Sequence, residues 1–310
     1  MRMKFCKPTL VATLIAAMIP AAASASEALT VYGKLNVSFD VSDEAGDSST
    51  GVHSNASRLG VKGAFDLSSS LEAFYTIEYE VNTSDDEKDN FEARNQFVGL
   101  RGDFGAISLG RNDTMLKQSQ GKVDLFGDLQ GDIKHLFKGE NRMEQTVTYT
   151  TPSFNGFSFG ATYVAEESGS QAEGDDGFSV AALYGDKKLK KSPIFASVAY
   201  DTDVKGFDNI LRASVQGKMG DLKLGAMYQD QEKAGAQSTD GFMVSAAYQL
   251  SAVVLKGQYQ DMDKVGDSFS VGADYKLGKP TKLFAYYTSR DEEGASSSDD
   301  YFGIGLEHKF

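Results

Sequence analysis

The sequence is poor in the residues from which many proteins build disulfide bonds, redox sites and catalytic sites. Its 310 residues include one cysteine, three histidines, five prolines and no tryptophan. The cysteine is Cys6, so a chain that loses its first segment has neither a disulfide nor a thiol nucleophile. No apolar run approaches the roughly 20 residues that a membrane-spanning helix requires. If the chain crosses a membrane, it does so as a closed β-barrel.

The first 25 residues have the three parts of an export signal. A basic start is followed by an apolar run at 10–19 and an Ala-rich A-x-A site, which predicts a signal peptide at 1–25 and a mature domain at 26–310. The basic residues are Arg2, Lys4 and Lys7. Because this segment contains no acidic residue, its removal takes the net charge from −13 to −16. Such a charge argues against a nucleic-acid partner.

Apolar residues at alternate positions recur along the rest of the chain and predict sixteen strands. In the first of them Leu29, Val31 and Leu35 face one way, whereas Lys34 and Asn36 face the other. One face suits lipid and the other suits water, so we predict an all-β fold, a sixteen-stranded antiparallel transmembrane β-barrel. The predicted strands are 29–40, 56–67, 70–82, 91–101, 104–111, 142–151, 155–165, 177–185, 192–202, 207–218, 221–230, 240–250, 252–262, 267–277, 281–290 and 300–310.

The connections between these strands alternate in length, which supports the same fold. Short turns are expected on one side, and longer acidic segments rich in Ser and Gly on the other, as in outer-membrane barrels. The longer segments are predicted at 41–55, 83–90, 112–141, 166–176, 203–206, 231–239, 263–266 and 291–299. The longest is 112–141, and an unstructured loop of that length is usually functional.

The end of the sequence carries a further signal. Phe302, Ile304, Leu306 and Phe310 fall on one face of the last predicted strand. A chain that begins with an export signal and ends on an aromatic of such a strand resembles the bacterial outer-membrane β-barrels. The resemblance implies export and assembly into the bacterial outer membrane.

Four segments in order narrow this resemblance to one family. They are LTVYGKL at 29–35, SRLGVKG at 57–63, RNQFVGL at 94–100 continuing through GAISLGR at 105–111, and RMEQTVTY at 142–149 followed by PSFNGF at 152–157. From Leu29 to Phe310 the chain resembles the trimeric general porins of Gram-negative bacteria. The resemblance implies a homotrimer with Gly99–Gly110 near the three-fold contact, surrounded by outer-membrane lipid and lipopolysaccharide. It also implies a passive channel for ions and small hydrophilic solutes, with no cofactor and no enzymatic activity.

In that family the loop after the fifth strand folds into the barrel and narrows it. The matching loop here is 112–141, and the resemblance places its acidic side chains opposite a basic wall. The expected basic side of the constriction is Lys34, Arg58, Arg94 and Arg142, and the expected acidic side is Asp124 and Asp128. The chain departs from the family at 124–127, where Asp-Leu-Phe-Gly replaces Pro-Glu-Phe-Gly. The arginines also admit a simpler interpretation, as solvated wall residues paired with neighbouring carboxylates.

Three alternatives stay open at this point. A substrate-specific channel, for example for oligosaccharides, is favoured if Phe74, Phe126 or Phe137 form a stacking track in the lumen. A barrel hydrolase or adhesin is the second, although no histidine has an evident Ser and Asp partner on one wall. The third is Ca²⁺ or Mg²⁺ binding by the acidic loop clusters, bridging to lipopolysaccharide phosphates. Ion selectivity is also open, since it is set by the narrowest ring rather than by net charge.

Overall fold

A computed structural model describes residues 29–84, 90–168 and 176–310, and almost all of them lie in or between β-strands. The strands are β1 Thr30–Glu44, β2 Asp47–Ser54, β3 Arg58–Ser68, β4 Leu71–Val81, β5 Phe91–Gly102, β6 Gly105–Asp113, β7 Arg142–Thr150, β8 Phe157–Val164, β9 Gly177–Gly185, β10 Ile194–Val204, β11 Phe207–Met219, β12 Leu222–Lys233, β13 Thr239–Leu250, β14 Val253–Met262, β15 Gly266–Lys276, β16 Thr281–Glu292 and β17 Asp299–Lys309. The expected signal peptide and the acidic residues 85–87 lie outside the described residues.

The strands form one closed antiparallel barrel. From β3 onward each strand pairs with the next one in sequence, and β17 closes the ring by pairing with β1 from Lys34↔Lys309 to Asp43↔Asp300. Strands β2 and β3 share one position, because β1 pairs with β2 along its outer part and with β3 along Thr30 to Lys34. The barrel therefore has sixteen positions, and the predicted fold class is confirmed.

Three of the predicted long segments are instead short connections, and two of these are tight hairpins. Ala45 and Gly46, with φ of 53° and 87°, form a two-residue turn between β1 and β2, so most of 41–55 is strand. Lys205 and Gly206, with φ of 55° and 78°, do the same between β10 and β11. Positive φ at both central residues is typical of the type I′ turns that match the twist of paired strands. The prediction of loops there was wrong because polar alternation at a strand tip resembles loop composition. The third short connection, at 263–265, is likewise only a turn between β14 and β15.

The two faces of the barrel differ in polarity. In β13 the outward residues Phe242 and Val244 are 44% and 46% exposed, whereas the inward Met243 and Ser245 are 0% and 8% exposed. The same alternation continues in β17, where the apolar residues predicted to share one face are exposed. An apolar outer band around a polar interior is the pattern of a membrane barrel. No helix among the described residues is long and apolar enough to cross a membrane.

Residues 114–141 connect β6 to β7 and pack on inward-facing side chains; we call this segment the inner loop. It contains one short helix, α1 Met115–Ser119, and a 3-10 helix at Ile133–His135. Its apolar side chains are buried against three wall patches that belong to β9–β11, β12–β14 and β16–β17. Those inner-loop residues are Met115, Leu116, Val123, Phe126, Ile133, Leu136 and Phe137. The hydrophobic core of the protein thus lies inside the barrel, between the inner loop and one half of the wall.

Candidate functional site

Glutamine side chains on the wall hold the backbone of the inner loop. The Oε1 atom of Gln258 accepts from the Leu125 N–H at 2.8 Å, and its Nε2 donates to the Gly131 carbonyl at 2.9 Å. An amide carries both a donor and an acceptor, so one glutamine satisfies two backbone groups that a loop would otherwise leave unpaired. The other glutamines that bind the inner loop are Gln216, Gln229, Gln231 and Gln260. Because these bonds come from β11, β12 and β14, the loop is fixed to one half of the barrel.

An ion pair binds the C-terminal end of the inner loop to the wall. Arg212 of β11 is fully buried and donates to Glu140 at 2.5 Å and to the Lys138 carbonyl at 3.0 Å. Burying a charge is tolerated only when it is paired and hydrogen bonded, and this guanidinium has both kinds of partner. The inner loop is therefore tied to the wall by charge as well as by packing.

Asp128 lies on the side of the inner loop that faces away from its glutamine anchors, and it contacts the wall formed by β1 and β3. Its Oδ2 accepts from Lys34 Nζ at 2.7 Å and from Arg58 Nη2 at 2.8 Å. Burial acts to raise the pKa of Asp128, but the charges of Lys34 and Arg58 outweigh it and hold that pKa below its ordinary value. Three of the residues expected at the constriction are thus in direct contact.

The remaining two expected basic residues bind carboxylates of the wall. Arg94 donates to Glu78 at 2.7 Å and to Glu80 at 2.5 Å, both on the adjacent strand β4. Arg142 lies 3.0 Å from Asp113, its cross-strand neighbour on β6. For Arg94 and Arg142 the simpler interpretation therefore describes the contacts, since neither forms an ion pair with the inner loop.

Asp124 has a different environment from Asp128. Its Oδ1 accepts from the Phe126 N–H at 2.8 Å and its Oδ2 from the Ile133 N–H at 3.2 Å, so the side chain closes a turn of the loop itself. Burial, followed by the nearby charge of Asp132, raises the pKa of Asp124 to about 7. The group is therefore partly protonated near neutral pH, and its first role is to shape the loop.

A cavity of about 460 Å³ lies between the inner loop and the wall made by β3–β7. Arg58, Arg94, Arg142, Asp124 and Asp128 all line it, whereas Lys34 does not. The lining carries six cationic and six anionic side chains; the others are Lys117, Lys122, Lys134, Glu80, Asp113, Asp132 and Glu140. The cavity is thus highly charged and nearly neutral in sum, despite the acidic composition of the chain.

Sequence reasoning did not single out Asp113, Lys117 or Glu140 as part of this site. Asp113 is the last residue of β6 and Glu140 lies just before β7. Their positions where the loop leaves and rejoins the wall could have indicated that they lie near the constriction. Lys117 offered none, because its position depends on α1, a single turn that the sequence did not predict.

The aromatic residues proposed for a stacking track do not form one. Phe126 and Phe137 belong to the inner loop and are fully buried against the wall, and Phe74 makes an edge contact with Phe97 at 6.0 Å. None of these residues lines the charged cavity. Among the described residues, no group of three or more His, Cys, Asp or Glu side chains is arranged to hold a metal ion.

Comparison with known proteins agrees with this architecture. A family described as Gram-negative porin matches residues 12–295. The major outer membrane protein P.IB of Neisseria meningitidis serogroup B is 25% identical over 346 residues, covering 98% of this chain and 100% of that protein. The structure of an anion-selective porin from Comamonas acidovorans superposes with a TM-score of 0.77 at 22% identity, covering 91% of this chain and 99% of that one.

A second solved structure, the trimer form of OmpT from Vibrio cholerae, has a TM-score of 0.65 at 18% identity and covers 91% of this chain and 99% of its own. These likenesses in fold extend over the whole barrel, and the family match covers most of the sequence. The chain therefore belongs to the Gram-negative porin family and is a passive diffusion channel of the bacterial outer membrane.

Proposed function

We propose that the 460 Å³ cavity is the constriction of this channel and that it passes ions and small hydrophilic solutes. The observation that carries the proposal is Asp128, which extends from the inner loop to Lys34 and Arg58 on the facing wall. Fixed charges of both signs across a narrow aqueous space orient water and attract polar solutes, and they penalise apolar ones that cannot replace the lost hydration. Passage needs no chemical step on the solute.

The basic side in this proposal is Lys34, Arg58, Arg94 and Arg142, and the acidic side is Asp128 with Asp124 as a partly protonated contributor. Arg94 and Arg142 act here through the sum of their charge and that of their wall partners, Glu78, Glu80 and Asp113. Local charge at the lining is balanced, so the −13 of the whole chain does not determine which ions pass. Selectivity then depends on the few side chains nearest to Asp128.

We further propose a homotrimer that is embedded in outer-membrane lipid and lipopolysaccharide. The outer face of β5 and β6 presents Val98 opposite Leu109, and these side chains are 58% and 53% exposed in the single chain. Exposed apolar side chains on a barrel are covered by lipid or by another subunit. The region Gly99–Gly110 is the proposed subunit contact, and the remaining apolar band is the proposed lipid contact.

Planar-bilayer recording of the purified protein tests the channel. We expect ohmic conductance that appears in steps of three, because each protomer of a trimer carries its own pore. Folded barrels that insert without conductance would contradict the channel, whereas steps of one with normal conductance would contradict only the trimer. Reversal potentials in a salt gradient then measure selectivity directly.

A further inference from the structure

A second cavity, of about 90 Å³, lies under the inner loop at the end of the barrel where the short turns are. It is bounded by the loop, by the turn that joins β9 to β10, and by β11 to β13. Its charged lining residues are all lysines: Lys122, Lys187, Lys188 and Lys223. This lining contains no carboxylate, whereas the lining of the constriction has equal numbers of cationic and anionic side chains. The lysine cavity, as we call it, is therefore a strongly cationic place in an acidic protein.

A buried glutamine builds this arrangement. Gln216 is 4% exposed; its Oε1 accepts from the Lys122 N–H at 2.7 Å and its Nε2 donates to the Lys187 carbonyl at 2.6 Å. One amide thus joins the inner loop to the β9–β10 turn and fixes the backbones of two lysines at the same cavity. Ser245 adds a bond from its hydroxyl to the Val123 carbonyl at 2.6 Å, which holds the next residue of the loop.

The ammonium groups of the lysine cavity have no acidic partner of their own. Within residues 29–84, 90–168 and 176–310, no carboxylate is within 4.0 Å of the side-chain nitrogen of Lys122, Lys187 or Lys223. The nearest acid in sequence is Asp186, whose oxygens accept from the backbone N–H groups of Lys188, Lys190 and Lys191 at 2.9 to 3.0 Å. That carboxylate is therefore already occupied by its own turn.

Neighbouring charges increase the positive potential further. Lys218 lies directly opposite Lys223 on the paired strand, on the inner side of the barrel. Partial desolvation beside the cavity, followed by the charge of Lys122, lowers the pKa of Lys187 below its ordinary value, while Asp113 and Asp186 act in the other direction. Like charges gathered without partners raise the free energy of the empty site, and a bound anion relieves it.

We propose that the lysine cavity binds the phosphate group of a solute at the inner exit of the pore. This proposal rests on the channel function and adds a ligand class to it. Lysine ammonium groups donate charge-assisted hydrogen bonds to phosphate oxygens, and phosphate offers more acceptors than chloride at higher charge. Since a water molecule occupies roughly 30 Å³ in the liquid, the cavity has room for one phosphate group with part of its hydration.

The test compares two double variants of the purified, folded protein. Lys187→Gln with Lys223→Gln, the cavity variant, removes two charges from the lysine cavity. Lys190→Gln with Lys191→Gln, the rim variant, removes two charges from the turn between β9 and β10, outside the cavity lining. Isothermal titration in detergent at constant ionic strength measures the binding of inorganic phosphate, of glycerol 3-phosphate and of chloride. Lys122 stays unchanged because it also lines the constriction.

We expect phosphate binding that weakens by about tenfold or more in the cavity variant, because two charge-assisted contacts are lost, and that is retained in the rim variant. Binding of inorganic phosphate alone identifies the free ion as the ligand, and equal binding of the ester identifies organic phosphates. Equal losses in both variants, or no phosphate binding above chloride, would overturn the proposal. Conductance measured on the same samples separates this failure from failure of the channel function.

Discussion

The side chain of Arg212 binds both ends of the inner loop. It forms an ion pair with Glu140 at 2.5 Å, near the end of the loop, and donates to the Leu116 carbonyl at 3.4 Å, near its start. Gln229 orients the guanidinium by accepting from its Nε at 2.7 Å. A single buried wall residue therefore links the two ends of the inner loop inside the barrel. Replacing Arg212 should increase the mobility of the whole loop.

Replacing Arg212 by Gln is expected to raise current noise and to lower the temperature at which the folded barrel is lost. Removing one partner of a buried ion pair costs about 3–5 kcal/mol, because the other charge stays buried without compensation. Single-channel variance and heat-modifiability on gels provide the two measurements. Arg101→Gln is the matched control, since Arg101 is 52% exposed and exposed pairs contribute only about 0–1 kcal/mol. Equal noise in the two variants would show that Arg212 does not hold the loop.

Most of the strands were predictable from alternation in the sequence, although β2 lies in a segment predicted as loop. The inner loop was expected only from the family resemblance, and its individual contacts were not predictable from the residues. Alternation in segments such as 177–185 and 240–250 marks strands directly, because lipid and water impose opposite demands on successive residues. The position of Asp128 instead depends on contacts with Lys34 and Arg58, which are 94 and 70 residues away in sequence. The different character of Asp124 and Asp128 was hidden for the same reason. Nothing in DLFG distinguishes an acid that binds its own loop from one that reaches the wall.

Asp124 is expected to make ion selectivity depend on pH near neutrality. Its pKa, about 7, is above the ordinary 3.8, so between these values the folded state holds the proton and the unfolded state does not. Folding stability therefore falls as pH rises through this window, and a negative charge appears at the cavity near pH 7. Reversal potentials in a KCl gradient should move toward cation preference from pH about 5 to about 8, because Asp124 becomes charged.

Two substitutions test the assignment of this pH dependence. Asp124→Asn should reduce the change of reversal potential between pH about 5 and about 8, because this carboxyl no longer titrates. His135→Gln should keep the wild-type profile, since burial, followed by the charge of Arg290, lowers the pKa of His135 to about 4 and leaves it neutral through the window. If the histidine variant loses the pH dependence and the aspartate variant keeps it, the assignment to Asp124 is wrong.

The pairing of Phe310 with Gly33 is expected to matter for assembly. Phe310 donates from its N–H to the Gly33 carbonyl at 3.1 Å and accepts from the Gly33 N–H at 3.0 Å, so it completes the seam where β17 meets β1. Deleting Phe310 should lower the amount of folded protein in outer-membrane fractions without changing synthesis, because the closing pair is lost. Phe154→Ala, at an exposed turn aromatic, is the control. Unchanged folded protein after the deletion would refute this role.

The constriction is expected to set selectivity through individual side chains. Asp128→Asn leaves Lys34 and Arg58 without their shared partner, so permeability should shift toward anions. Arg58→Gln with Arg94→Gln leaves Glu78 and Glu80 uncompensated and should shift it toward cations. In a partly desolvated lumen two charges about 4 Å apart interact by about 4 kcal/mol, against about 1 in bulk water, so several-fold changes in permeability ratio are expected.

The control for these variants removes charge away from the constriction. Asp299→Asn with Asp300→Asn neutralises two acids at the start of β17, where salt screens their effect over about 8–10 Å. Reversal potentials across the same KCl gradient should change less for this pair than for Asp128→Asn, although it removes twice the charge. Local charge then outweighs net charge. A larger change in the control would mean that selectivity is set at the outer mouth and that residues 114–141 are not the selectivity element.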